Sequence, residues 1–214
     1  MRHGLTVLAH LLHASLSIIF LEVLRVGYCL VMRMLLVDGF TERNGLIDLV
    51  GEELQNRGHK VTVLNLCDEG FKVSMTEHER NMYHDSDNLV SIAQRRSAEL
   101  VKNIDGLVIC YEMKHGLFPA QVKSWFERVF IPGVSFVIND KGRIQRALTN
   151  LRMVGVVSLA EPGHGHLPWR NDPSRSLVRA VRMNAHIFCA MRLVHLSTSD
   201  DLKSIREALR SQRW

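Results

Sequence analysis

The sequence predicts an α/β domain of three layers, a parallel sheet with helices on both faces. Two observations predict it. From Met34 onward, short apolar runs rich in Val, Leu and Ile alternate five times with segments whose apolar residues recur every three to four positions. The 214 residues, 46% hydrophobic and 23% charged with only 5 Pro, contain no internal repeat and no linker, so one core accounts for the chain.

The first strand is Met34–Asp38, closed by Gly39. A helix follows from about Thr41, with Leu46, Leu49, Val50 and Leu54 as its apolar stripe and Gly58 at the C-terminal cap position. Lys60–Leu66 alternates and is β-branched, giving a second strand. Cys67–Asn88 is polar and aperiodic, with one turn of helix around Thr76–Arg80. A helix over Asp87–Ile104 leads to the third strand, Gly106–Tyr111. The next helix opens at Pro119, where the missing N–H costs nothing, and buries Val122, Trp125, Phe126, Val129 and Phe130 before Pro132-Gly133 stops it. Val134–Ile144 reads as a hairpin or extended excursion turning at Asp140-Lys141-Gly142. Met153–Leu159 is the fourth strand. Asp172 and Pro173 start a helix that runs to about Met191. Arg192–Leu196 is the fifth strand, and Ser199 caps a last helix with Leu202, Ile205 and Leu209 inward.

The formal charge of +5 is modest, and basic residues are scattered except for Arg175, Arg179 and Arg182, which share a helical face. Without aromatic residues interleaved, that face reads as solvated and no nucleic-acid partner is expected; an anionic dinucleotide or phosphate suits the charge. Cys29, Cys67, Cys110 and Cys189 form no close pair, so buried free thiols in a reducing, cytoplasmic setting are expected. Residues 1–32 form an apolar extension with a marginal uncharged run, Gly4–Leu21. It reads as an appendage ahead of a working start at Met32 or Met34, as a signal segment without a clear cleavage site, or as a membrane tether through residues 4–31.

Ligands of open doubly wound sheets sit beyond the carboxyl ends of the strands. Three loops reach that rim. The first, Asp38–Gly45, offers Thr41, Asn44 and a helix N-terminus: a phosphate cradle, or a plain N-cap threonine. The second, Glu112–Phe118, is charged. The third carries His164 and His166 near Glu161; a metal would need further ligands that the sequence does not supply, so the pair reads as acid–base or ligand-contact groups and no metal is expected. Trp169 would cover a ring or pack its loop down. His186 and His195 read as structural histidines, and Tyr83-His84 has no local requirement for the rim.

The run Lys123–Phe130 with Pro119-Ala120 ahead of it resembles the helix after the flavin loop in the NAD(P)H:quinone oxidoreductases of the flavodoxin fold. The resemblance extends to Gly58–Leu66, Met75–His84 and Gly142–Ser158, so it covers residues 33–214. It implies strand order 2-1-3-4-5, bound FMN or FAD, NAD(P)H as donor, a quinone-like acceptor and a homodimer. The implied cofactor-binding residues are Thr41 and Asn44, then Glu112, Met113, Lys114, His115 and Gly116, then Ser158, Leu159 and Ala160, with His164 and His166 at the catalytic position. Three departures stand out: positions 112–116 lack the family's paired aromatics, the first loop lacks its histidine-proline pair, and 158–161 lack its Thr-Thr-Gly-Gly turn. Two readings follow: a flavin-dependent NAD(P)H oxidoreductase, or a flavodoxin-fold binding or regulatory protein with weak or no flavin binding.

Overall fold

The computed structural model describes residues 31–85, 87–162 and 172–214. Residues 32–214 form one compact unit, within which β1 (Arg33–Asp38), β2 (Lys60–Asn65), β3 (Gly106–Met113), β6 (Met153–Ala160) and β7 (Ala190–Ser197) make a parallel sheet in the order β2-β1-β3-β6-β7. With the short hairpin β4 (Phe136–Ile138) and β5 (Ile144–Arg146) set aside, this is the predicted 2-1-3-4-5 order. β1 lies in the middle because it is apolar on both faces: Leu35, Leu36 and Val37 are all fully buried.

Even and odd positions of β1 feed separate cores. Leu35 and Val37 pack with α3 (Ile92–Lys102), α4 (Ala120–Val129) and α5 (Pro173–Met183). Met34 and Leu36 pack with α1 (Leu46–Asn56) and α6 (Leu202–Ser211), closed by Trp214. Each fully buried Leu or Met contributes about 1.5–3 kcal/mol. Gly39 is required where α4 crosses the end of β1. Its N–H donates to the Cys110 carbonyl at 2.8 Å, and a Cβ there would meet Val122 at 2.4 Å.

Several element ends differ from the sequence expectation, each for a local reason. α1 starts at Leu46, not Thr41, because the Asn44 side chain accepts the Leu46 N–H at 2.9 Å and fixes the turn. α3 starts after Ser91, whose capping box with Gln94 competes successfully with Asp87. α5 ends at Met183 because the backbone beyond is diverted: Leu148 N–H donates to Asn184 and His186 N–H to Leu151. Asp201, not Ser199, caps α6; Ser199 bonds Ser197 instead. β3 runs two residues further than expected because Glu112 and Met113 continue the ladder with Leu159 and Ala160. Cys110 and Cys189 are buried free thiols as expected, but Cys67 is exposed; Cys29 lies outside the described residues.

The polar excursion after β2 is organised by one side chain. Arg128 of α4 is 2% exposed and directs all five guanidinium N–H groups to protein acceptors. Two go to the Glu79 carboxylate at 2.7 and 3.1 Å, one to the Ser74 carbonyl, and two to Ser124. Glu79 closes a capping box with Thr76 at the head of the short α2 (Glu77–Asn81). Burial alone would raise the Glu79 carboxyl; its bonds to Arg128 and Thr76 outweigh this and hold it at about 2. The Thr76–Arg80 and Lys123–Phe130 stretches thus meet in one ion pair whose arginine is buried.

Candidate functional site

The connection leaving β1 returns to β2 on one side, while β3, β6 and β7 lie on the other, so the order reverses between β1 and β3. Two hollows open at the carboxyl ends there. A polar cavity of about 460 Å³ is lined by Asp38, Thr41, Arg43, Asn44 and Asp48 at the head of α1, together with Asn65, Cys67 and Asp68 after β2. A smaller cleft of about 170 Å³ is lined by Glu112, Lys114, Leu117, Phe118, Pro119 and Ala120 after β3. Thr41 lines both, so the two hollows lie on either side of one residue.

The polar cavity is built on Asp38. Its carboxylate accepts the Phe40 N–H at 3.1 Å and the Asn65 amide at 3.2 Å, holding the β1 and β2 ends together. Cys67 ties in the same corner, its thiol donating to the Phe40 carbonyl at 3.2 Å. Because Asn44 turns the chain into α1, Thr41 is not a capping residue and stays exposed on the cavity wall. Thr41, Arg43 and the Asn44 amide are donors suited to a phosphate beside a helix N-terminus. The charge balance runs the other way: Arg43 stands among Asp38, Glu42, Asp48 and Asp68. Burial, aided by Asp68 and Asp48 and opposed by the Phe40 N–H, raises the Asp38 carboxyl above its ordinary range.

The cleft begins with a two-residue turn. Lys114 and Leu117 exchange backbone hydrogen bonds at 3.1 and 2.9 Å across His115 and Gly116, both with positive φ. Lys114 pairs with Glu112, two residues back, at 3.3 Å, so the two charges largely cancel at the cleft mouth. Phe118 supplies an aromatic wall, half-buried and edge-on to the buried Tyr111 at 6.3 Å between ring centres.

Of the residues expected from sequence, Thr41 and Asn44 line the polar cavity and Thr41, Glu112 and Lys114 the cleft, with His115 and Gly116 in the adjoining turn. Met113 is 4% exposed within β3 and belongs to the core. Ser158, Leu159 and Ala160 lie within β6 and line neither hollow; Ser158 and Ala160 are buried. His164 and His166 lie outside the described residues, as does Trp169. Among the described residues no group of three or more His, Cys, Asp or Glu could hold a metal.

Sequence reasoning missed Arg43, Cys67 and Phe118. Phe118 was signalled by its place directly before Pro119-Ala120; nothing local marked Cys67. It also read Asp172 only as a cap. Its Oδ1 does cap α5, through the Ser174 N–H at 2.9 Å, and Oδ2 lies 3.3 Å from His195 Nε2. His195 Nδ1 is 2.8 Å from Ser158 Oγ, and Ser174 Oγ is 2.7 Å from the Tyr111 hydroxyl. The structural reading of His195 is thus given partners: this chain of polar side chains binds β3, β6, β7 and α5 at the carboxyl end. Ser158 is fully buried and therefore serves as a hydrogen-bonding group.

A search of curated proteins finds none that matches. Among solved structures, the NAD(P)H:quinone oxidoreductase from Methanothermobacter marburgensis is similar at 18% identity and a TM-score of 0.62, over 85% of this chain and 95% of that one. Smu.1420 from Streptococcus mutans UA159 is similar at 17% identity and 0.61, over 84% and 95%. The FMN-dependent NADH-azoreductase from Bacillus anthracis str. Ames Ancestor, in complex with FMN, is similar at 13% and 0.59, over 83% and 93%. At these identities the likeness is one of fold. A family model described as the flavodoxin-like fold matches residues 33–212, and with that coverage the chain belongs to the flavodoxin-like family.

Proposed function

We propose that the chain is a flavin-dependent oxidoreductase that takes FMN and passes reducing equivalents from NAD(P)H to a quinone-like acceptor. One observation carries this reading: a polar cavity with phosphate donors at the head of α1 and an apolar cleft walled by Phe118 share Thr41 in their linings. That pairing suits a molecule with a flat apolar ring at one end and a phosphate at the other. The chemistry such a group supplies is hydride transfer; the protein binds, orients and shields it. Thr41, Arg43 and Asn44 would hold the phosphate. Phe118, Leu117 and Ala120 would pack against the ring, an aromatic contact worth about 0.5–1.5 kcal/mol beyond burial. Names of similar structures, quinone oxidoreductase and FMN-dependent azoreductase, are consistent with this donor and acceptor class. A homodimer belongs to the same proposal.

One observation favours the second reading, a flavodoxin-fold binding protein with weak flavin affinity. Four carboxylates face one arginine where the phosphate would sit. Purified protein titrated with FMN, then supplied with NADH and a soluble quinone, decides between them. Saturable flavin binding with quinone-dependent NADH oxidation supports the oxidoreductase; weak flavin binding with no turnover supports the second reading.

A further inference from the structure

The end of the sheet opposite the rim carries a face that the flavin reading does not use. β6 and β7 begin there, at the Met153–Ala190 pair, and α5 arrives there from the carboxyl end. The β4–β5 hairpin is fixed to the same place: Arg146 Nε donates to the Met183 carbonyl at 3.1 Å, and the Leu148 N–H to Asn184 at 3.0 Å. Five bulky apolar side chains stand out from this corner: Phe188 at 81% exposure, Met183 at 72%, Ile144 at 70%, Ile187 at 61% and Ile138 at 55%.

The charge around them is mostly basic. The stretches that build this corner, residues 133–152 and 179–192, hold seven Lys or Arg and one carboxylate, Asp140, with Asp105 beside Arg152 at the start of β3. Lys141, Arg143 and Arg146 come from the hairpin and Arg179 and Arg182 from the later turns of α5; all are exposed. The basic α5 face is therefore continuous with exposed apolar bulk. Protruding Phe, Ile and Met ringed by Lys and Arg is the composition of a surface that enters a lipid headgroup region. A second copy of this face would meet it with like charge. Nucleic acid would match the charge and leave the aliphatic side chains without a role.

We propose that this face docks on an anionic membrane surface. Phe188, Ile187 and Met183 enter the headgroup boundary while Arg143, Arg146 and Arg182 meet lipid phosphates. The eight-residue strands β3 and β6 separate it from the rim by roughly 25 Å, so docking leaves the ligand hollows facing water. The contact is distinct from a tether through residues 4–31, one of the readings of that segment.

The test is co-sedimentation of the full chain with vesicles of phosphatidylcholine alone and of phosphatidylcholine with phosphatidylglycerol. Binding is expected only to the second and should weaken with salt. Arg143→Gln with Arg182→Gln should reduce it roughly 25-fold, about fivefold per basic residue. Ile187→Ser with Phe188→Ser should reduce it by about tenfold or more. Both variants should keep the wild-type thermal midpoint and FMN affinity. The proposal is overturned by no vesicle binding or by equal binding to neutral vesicles. It is also overturned by binding that both double variants leave intact, which would assign lipid contact to residues 4–31. Loss of self-association in the Phe188 variant without any lipid binding would overturn it in favour of a protein interface.

Discussion

Two ion pairs of the β3–α4 region make opposite use of charge. Arg128 and Glu79 are 2% and 12% exposed, and every guanidinium N–H is matched. Lys114 and Glu112 are 65% and 28% exposed and share one contact at 3.3 Å. The first pair joins the two stretches that most resemble a flavin reductase family. The second stands at the ligand cleft, where the resemblance breaks. The wording that identified the fold is therefore that of a buried scaffold clamp, and says little about the ligand. A buried charge demands its partner, so neither half of the clamp can change alone; a charge at a cleft mouth can be exchanged at small cost.

Substitution of the buried arginine carries the largest expected effect. Arg128→Ala removes the donor shared by the half-buried Glu79 carboxylate and the Ser74 and Ser124 acceptors and should cost about 2–3 kcal/mol in denaturant unfolding. Arg128→Lys should recover only part, since an ammonium offers three donors where five are used. A loss below about 1 kcal/mol would remove the clamp from the account.

The second effect depends on pH. Glu79 is held at about 2 against an ordinary 4.5, a lowered carboxyl. Its contribution is fully present above the ordinary value and is lost as pH falls from about 4.5 towards 2. It amounts to roughly 3 kcal/mol. The stability difference between wild type and Glu79→Gln should shrink over that window; a difference flat in pH contradicts the assignment.

The third concerns the rim. Asp48→Asn or Asp68→Asn removes a charge from the cavity and should tighten FMN binding about threefold to tenfold, with the protein otherwise as stable. Asp38 is raised, so wild-type affinity for FMN should also rise as pH falls through that group's titration. Weaker binding in either variant would mean the phosphate lies elsewhere. The smallest effect is Lys114→Ala, which should change stability by less than about 0.5 kcal/mol.

The sheet was legible from sequence because its information is local and periodic. Leu35 to Val37 read as a fully buried strand, and Pro119 and Asp172 marked helix starts with their own chemistry. Helix starts were less legible, since Ser91 and Asp201 each outcompeted a neighbour for the cap and the Asn44 turn delayed the start of α1. The rim was legible only in part. Thr41, Glu112 and Lys114 were found because they follow strand ends. Cys67 enters the cavity through its strand's position beside β1, and Asp172 reaches His195 across the sheet; both are contacts that no local spacing encodes.

Whether the two neighbouring hollows hold a flavin by its phosphate and its ring is tested most directly by comparing FMN and riboflavin affinities in wild type and Arg43→Gln. The account predicts saturable binding of FMN, tighter than riboflavin, with Arg43→Gln weakening FMN about threefold to tenfold and leaving riboflavin unchanged. Equal affinity for the two ligands, or no saturable binding of either, would contradict it.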